Sequence, residues 1–110
     1  MRRTAPSAAW HLLLASLALG GPALAWDRAV QRGATIARTD CARCHAVERT
    51  GASPLRIAPP FRELHARYPV ENLGEALAEG IRTGHPSMPE FRFDPDEAAA
   101  LIAYLKSLER

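Results

Sequence analysis

Two cysteines occur in the whole chain, and they stand three positions apart in Cys41-Ala42-Arg43-Cys44, with His45 directly after. No other feature narrows the possible folds as much. Bridged to each other, the two thiols would close a loop too short to stabilise a domain appreciably, and His45 would have no role. A thioredoxin-like redox pair shares the spacing but sits beside a βαβ unit, and no alternating strand pattern is present here. A structural zinc needs four ligands, and this cluster offers three. The remaining reading of Cys-x-x-Cys-His is covalent haem attachment. Two thiols so spaced add to the two vinyl groups on one side of a porphyrin as thioethers. The next residue then carries an imidazole beneath the ring, where it reaches the iron.

The N-terminal segment fits that chemistry. Met1-Arg2-Arg3 is basic, residues 10–19 are apolar apart from His11 and Ser16, Gly20-Gly21-Pro22 breaks the run, and Ala23-Leu24-Ala25 is a small-x-small site. These are the parts of a secretory signal peptide. A spanning helix needs ~20 apolar residues, more than this run supplies. We therefore expect residues 1–25 to be a leader and residues 26–110 to be one domain, exported to the periplasm. An exported protein cannot refill its haem from a cytoplasmic pool, so covalent attachment is advantageous there.

Loss of the leader removes Arg2 and Arg3 and no acidic side chain, so 12 basic groups remain against 12 acidic ones. Such a neutral balance gives no reason to expect nucleic acid or an anionic membrane as partner, and no stable membrane insertion follows once the leader is cut. Lys106 is the single lysine, so a lysine-ringed docking face is absent too. A domain this short hides only about two-thirds of its unfolded surface. Small domains commonly recruit a cofactor, metal or disulfide to complete the core.

Periodicity predicts an all-α domain of three to four helices. Asp27 to Thr39 reads as the first, with Val30, Gly33, Ile36 and Ala37 along its faces. Residues 48–60 are rich in Gly, Ser and Pro and read as a long irregular stretch, with a short helical turn at Phe61–Ala66. Val70, Leu73, Leu77 and Ile81 predict a helix over 70–81. The last helix is the best marked: Asp94 caps it, Pro95 suits its first position, and Glu97 sits where a capping-box acid belongs. Ala98, Leu101, Ile102, Leu105 and Leu108 form its apolar stripe.

With these residues in place the chain resembles a small monohaem class I cytochrome c over nearly the whole of residues 26–110. Gly33 and Ala37, eight and four residues before Cys41, match small-residue contacts of the family's N-terminal helix. Leu101 and Tyr104 match the aliphatic–aromatic pair of its C-terminal helix. The resemblance implies the cytochrome c fold, with those two helices crossing closely at Gly33 and Tyr104 packing across. It also implies one haem c held through Cys41 and Cys44, with His45 as axial ligand. Ala58-Pro59-Pro60-Phe61 resembles the family's proline segment, in which a proline carbonyl orients the axial histidine; Pro59 is favoured over Pro60 for that role.

Once the leader is gone, Met88 is the one methionine left. It lies in the proline-braced loop Gly84-His85-Pro86-Ser87-Met88-Pro89, off any helical stripe. A lone methionine is commonly core filler, but the resemblance places the family's second axial ligand here. His85 and His65 are the rivals for that position. Phe61, Leu64, Leu73, Leu77, Phe91, Leu101 and Leu105 are candidate apolar walls, and Arg56, Arg62 and Arg92 are candidates for pairing a haem propionate.

The functional expectation is an electron carrier with His/Met ligation, cycling Fe(III)/Fe(II) between redox proteins, with no substrate transformed. Two alternatives stay open. One is the haem subunit of a larger dehydrogenase or oxidase. The other is an open-site haem protein binding a gas or peroxide, which requires that Met88 not ligate.

Overall fold

The computed structural model describes residues 20–80 and 87–109. The expected leader up to residue 19, Ile81 and His85 lie outside the described residues. Every regular element among the described residues is helical.

Helix α1 spans Pro22–Ile36, starting five residues earlier than Asp27. Gly20-Gly21-Pro22, read from sequence as a break, works instead as a helix start: proline at the first helical position loses an N–H that has no intrahelical partner anyway. The early turns are exposed, Leu24 and Trp26 each at 44 %, and α1 reaches the core only from Val30, Gly33 and Ala34 onward. The helix does not run regularly to Thr39. Its last turn widens into a π-turn over Ala37–Cys41, and the Ala42 N–H reaches back to the Ala37 carbonyl at 3.0 Å. Widened turns of this kind commonly sit at functional positions; this one delivers Cys41.

No helix or strand forms between residues 46 and 60. A 3₁₀ stretch then covers Phe61–Ala66, where the short helical turn was expected. The segment predicted as a helix from Val70 begins as a 3₁₀ turn, Val70–Asn72, and continues as α2 over Leu73–Glu79. Gly80, at φ 111°, ends it in a conformation that side chains disfavour. Helix α3, Pro95–Ser107, starts with the expected capping box, the Asp94 N–H donating to Glu97 Oε2 at 3.1 Å.

The crossing of α1 on α3 organises the molecule. A Cβ built on Gly33 would lie 2.0 Å from the Ala100 carbonyl oxygen and 2.7 Å from Tyr104 Cβ, so only glycine allows the two backbones to meet this closely. Ala37, fully buried, continues the small-residue face one turn later. Around the crossing, Val47, Phe61, Leu64, Val70, Leu77, Leu101, Tyr104, Leu105 and Leu108 form one buried cluster with Ala34 and Ala37. None of the described helices is long and apolar enough to cross a membrane.

Candidate functional site

The π-turn leads directly into the cysteine motif. The N–H groups of Cys44 and His45 both donate to the Cys41 carbonyl, at 3.2 and 3.0 Å. The pentapeptide is therefore wound as one helical turn, and positions i, i+3 and i+4 of such a turn share a face. Cys41, Cys44 and His45 occupy those positions. Both thiols are free and half-buried.

His45 is held from the side by the proline segment. Its Nδ1 lies 2.8 Å from the Pro59 carbonyl oxygen. A carbonyl can only accept, so Nδ1 carries the proton and Nε2 keeps its lone pair free for a metal. Pro59 and Pro60 have no N–H to donate, so this segment meets its neighbours through carbonyls. The Pro60 carbonyl accepts from the Glu63 N–H at 3.0 Å, inside the 3₁₀ turn, which leaves the Pro59 carbonyl to face the imidazole. The first available N–H, that of Phe61, donates to the Ala46 carbonyl at 2.9 Å. It ties residues 59–61 alongside residues 45–46 and sets the Phe61 ring 5.1 Å from the His45 ring.

The irregular stretch folds back over the motif. Ser53 Oγ accepts from the Ala46 N–H at 2.9 Å, and the Leu55 N–H donates to the Cys44 carbonyl at 3.0 Å. On the other side, the buried Tyr104 hydroxyl donates to the Val47 carbonyl at 2.6 Å. Glu48 accepts two bonds from the Arg38 guanidinium, at 2.5 and 3.1 Å. That pairing holds its carboxyl below the usual carboxylate range. Burial, aided by the Glu48 charge, pushes the Tyr104 phenol up, so it remains a donor. These tethers join α1, the motif and α3, and sequence reasoning missed them. Tyr104 was legible as a packing side chain, but nothing local to it names Val47, 57 residues away.

The electrostatics bear on which chemistry the thiols serve. Burial, with a smaller contribution from the Asp40 charge, pushes the Cys41 thiol up to about 12. A free thiol that stays protonated at neutral pH is a poor redox nucleophile. Among the described residues, no group of three or more His, Cys, Asp and Glu side chains could hold a metal ion. The described residues therefore offer no protein-only metal centre.

A haem fits the remaining features. All seven candidate wall residues belong to one apolar cluster: Phe61, Leu64, Leu77, Leu101 and Leu105 are buried, and Leu73 and Phe91 are packed against them half-buried. Of the three candidate arginines, Arg56 and Arg92 are exposed, while Arg62 Nη1 is buried with no hydrogen-bond partner among the described residues. A buried guanidinium nitrogen without an acceptor is costly, and a propionate is an acceptor of the required charge. Arg62 follows Phe61, on the side of the fold that carries His45.

Met88 stands on a separate element, the loop entering α3, and is half-buried. The described part of this loop is anchored by the Phe93 N–H donating to the Leu77 carbonyl at 2.8 Å and by stacking of Phe91 on Phe93 at 5.8 Å. Hydrogen bonds bring Cys41, Cys44, His45 and Pro59 together; Met88 shares none of them. His65 is exposed.

Comparison with known proteins agrees with this geometry. The cytochrome c family model matches residues 30–109. Cytochrome c-552 of Bradyrhizobium diazoefficiens is 36 % identical over 97 residues, which cover 88 % of this chain and 89 % of that protein. No solved structure matches the chain.

Proposed function

Because the chain belongs to the cytochrome c family, as a class I member with covalently bound haem c, we propose that it is a periplasmic electron carrier whose haem is held by Cys41, Cys44, His45 and Met88. The haem, when bound, supplies reversible one-electron Fe(III)/Fe(II) chemistry. Cys41 and Cys44 would anchor it through thioethers, and His45 would offer Nε2 to the iron. The Pro59 carbonyl, 2.8 Å from Nδ1, keeps the proton on that nitrogen and stops the ring from rotating. It also raises the basicity of the liganding nitrogen. Met88 would be the second protein ligand to the iron; a thioether favours the ferrous state and raises the potential. The apolar walls keep water from the metal, and Arg62 neutralises a propionate. No substrate is transformed, and the partners are other redox proteins. Residues 1–25 serve as the leader that takes the chain out of the cytoplasm.

The observation that carries this reading is the single turn placing two free thiols and a proton-directed imidazole on one face. Denaturing electrophoresis with haem staining tests it: haem should stay on the polypeptide, and the Cys41→Ser, Cys44→Ser double variant should be colourless. Colourless native protein would overturn the reading. For the sixth ligand, Met88→Ala should abolish the weak red charge-transfer band of the ferric protein. An unchanged band would assign that position to another residue.

A further inference from the structure

Met88 stands on its own element, and the contacts that hold that element converge on the end of α2. The last carbonyls of a helix have no intrahelical partner. In α2 the Ala76 carbonyl accepts from the Gly80 N–H at 2.9 Å, and the Leu77 carbonyl accepts from the Phe93 N–H at 2.8 Å. The segment that follows Met88 therefore caps α2. Phe91 and Phe93 turn inward and stack. The alternate residues, Glu90 and Arg92, are exposed, and both meet Gly80.

Gly80 is singular in two ways. Its backbone, at φ 111° and ψ 104°, is one that side chains disfavour. The space where a side chain would begin is also taken: a Cβ built there would lie 2.6 Å from Glu90 Oε1, too close for any carbon, and 3.5 Å from Arg92 Nη2. The Glu90 carboxylate is thus seated in room that only glycine leaves. An acid at the C-terminal end of a helix faces the negative pole of its dipole, and the Arg92 guanidinium supplies positive charge beside it.

The seat is two residues from Met88, and the connection is stiff. Pro89 has a fixed φ, and a residue preceding proline is kept out of the helical region, so Met88-Pro89-Glu90 has fewer soft dihedrals than three ordinary residues. A shift of Glu90 is passed along this arm to Met88. We propose that Gly80 and Glu90 are positioning residues for Met88: the absent side chain at residue 80 sets where Glu90 rests, and Glu90 sets where the thioether stands. The proposal rests on Met88 as a ligand to the iron. An external ligand that must displace Met88 binds with an apparent affinity scaled by the fraction of molecules in which Met88 is released, so loosening the seat should make such a ligand bind more tightly.

The test titrates ferric, haem-loaded protein with imidazole and follows loss of the weak red charge-transfer band. Glu90→Ala, which leaves the backbone unstrained, should bind imidazole about threefold more tightly than the parent. Gly80→Ala, which expels the carboxylate, should bind it about tenfold more tightly, and the reduction potential of both should fall. The double variant Gly80→Ala, Glu90→Ala has no carboxylate to expel, so its imidazole affinity should return to that of Glu90→Ala alone while its melting temperature stays low from the strained backbone. Leu108→Ala, a cavity about 20 Å away at the other end of α3, should lower the melting temperature and leave the imidazole affinity unchanged. An affinity indifferent to Glu90, a double variant in which the two single effects multiply, or an equal rise in Leu108→Ala would overturn the proposal. A parent whose band is absent, or survives Met88→Ala, would instead remove Met88 as the ligand and this proposal with it.

Discussion

Replacing Gly33 by alanine sets two physical effects of opposite sign against each other. Alanine is the better helix former by about 1 kcal/mol, so on α1 alone Gly33→Ala should stabilise the protein. In the folded chain, however, the new methyl carbon would lie 2.0 Å from the Ala100 carbonyl oxygen and 2.7 Å from both the Ala100 carbonyl carbon and Tyr104 Cβ, against 3.4 Å for ordinary contact. The obstructing atoms at Ala100 belong to the backbone of α3, so no side-chain rotation relieves the clash. The helices must move apart by more than ~1 Å, which opens the packing of Leu101, Tyr104 and Ala37. Overpacking of a core typically costs 1–3 kcal/mol, occasionally more, and a backbone obstacle places this site at the upper end. After the propensity gain, a net loss of about 2 kcal/mol is expected, a large share of the 5–15 kcal/mol typical of a domain. For a domain below 100 residues, that lowers the melting temperature by about 10 °C. Far-ultraviolet circular dichroism of the haem-loaded protein measures the difference directly. A variant as stable as the parent, or more stable, would show that the crossing at Gly33 is looser than described.

Three further substitutions address single links of the same framework. Tyr104→Phe leaves the Val47 carbonyl without its 2.6 Å donor and should cost about 1–3 kcal/mol in a urea titration; no loss would mean that water replaces the hydroxyl. Asp94→Ala removes half of the capping box of α3 and should cost about 1 kcal/mol, read from the same titration, whereas an unchanged midpoint would show that the cap is dispensable. The Glu48 carboxyl is held low by Arg38, so its folded pKa lies below its unfolded one. Its stabilising contribution is complete above the ordinary carboxylate range and is lost as pH falls through the lowered value. Glu48→Gln should therefore flatten the acid limb of a stability–pH profile, by a small amount because the pair is exposed; profiles that superimpose would show the pair to be inert.

The features legible in the sequence are those whose cause is local. Asp94, Pro95 and Glu97 announce α3 because capping is a contact between neighbours three positions apart. The spacing of Cys41, Cys44 and His45 declares its chemistry because those positions share one helical turn. Gly33 is the opposite case. Seen along the chain it is merely a weak spot in a helix, and its meaning resides in Ala100, which no helical period connects to it. Resemblance to a family supplied the partner helix, with Tyr104 packing across, but not Ala100, and periodicity could supply neither. Pro22 was ambiguous for a different reason, since the same Gly-Gly-Pro run can end an apolar segment or begin a helix. The choice depends on the residues that follow. Tyr104 to Val47 and Arg49 to Ser107 stayed invisible because each joins points more than 50 positions apart.

The long-range contacts missing from the sequence reading are those that support the proline segment, whose Pro59 carbonyl fixes the histidine. His45 gets its proton direction from Pro59, which is positioned by the Phe61 N–H on Ala46. Ala46 is followed by Val47, held by Tyr104, one turn of α3 beyond the residue that meets Gly33. The chain of contacts from the helix crossing to the imidazole is continuous, and each link is a hydrogen bond or a backbone contact. A separation of α1 from α3 therefore cannot remain a matter of stability alone. It loosens the carbonyl that orients His45, the proposed axial ligand, so Gly33→Ala and Tyr104→Phe should both broaden the ferric low-spin resonances of the haem-loaded protein; unchanged resonances would show that the crossing does not reach the imidazole.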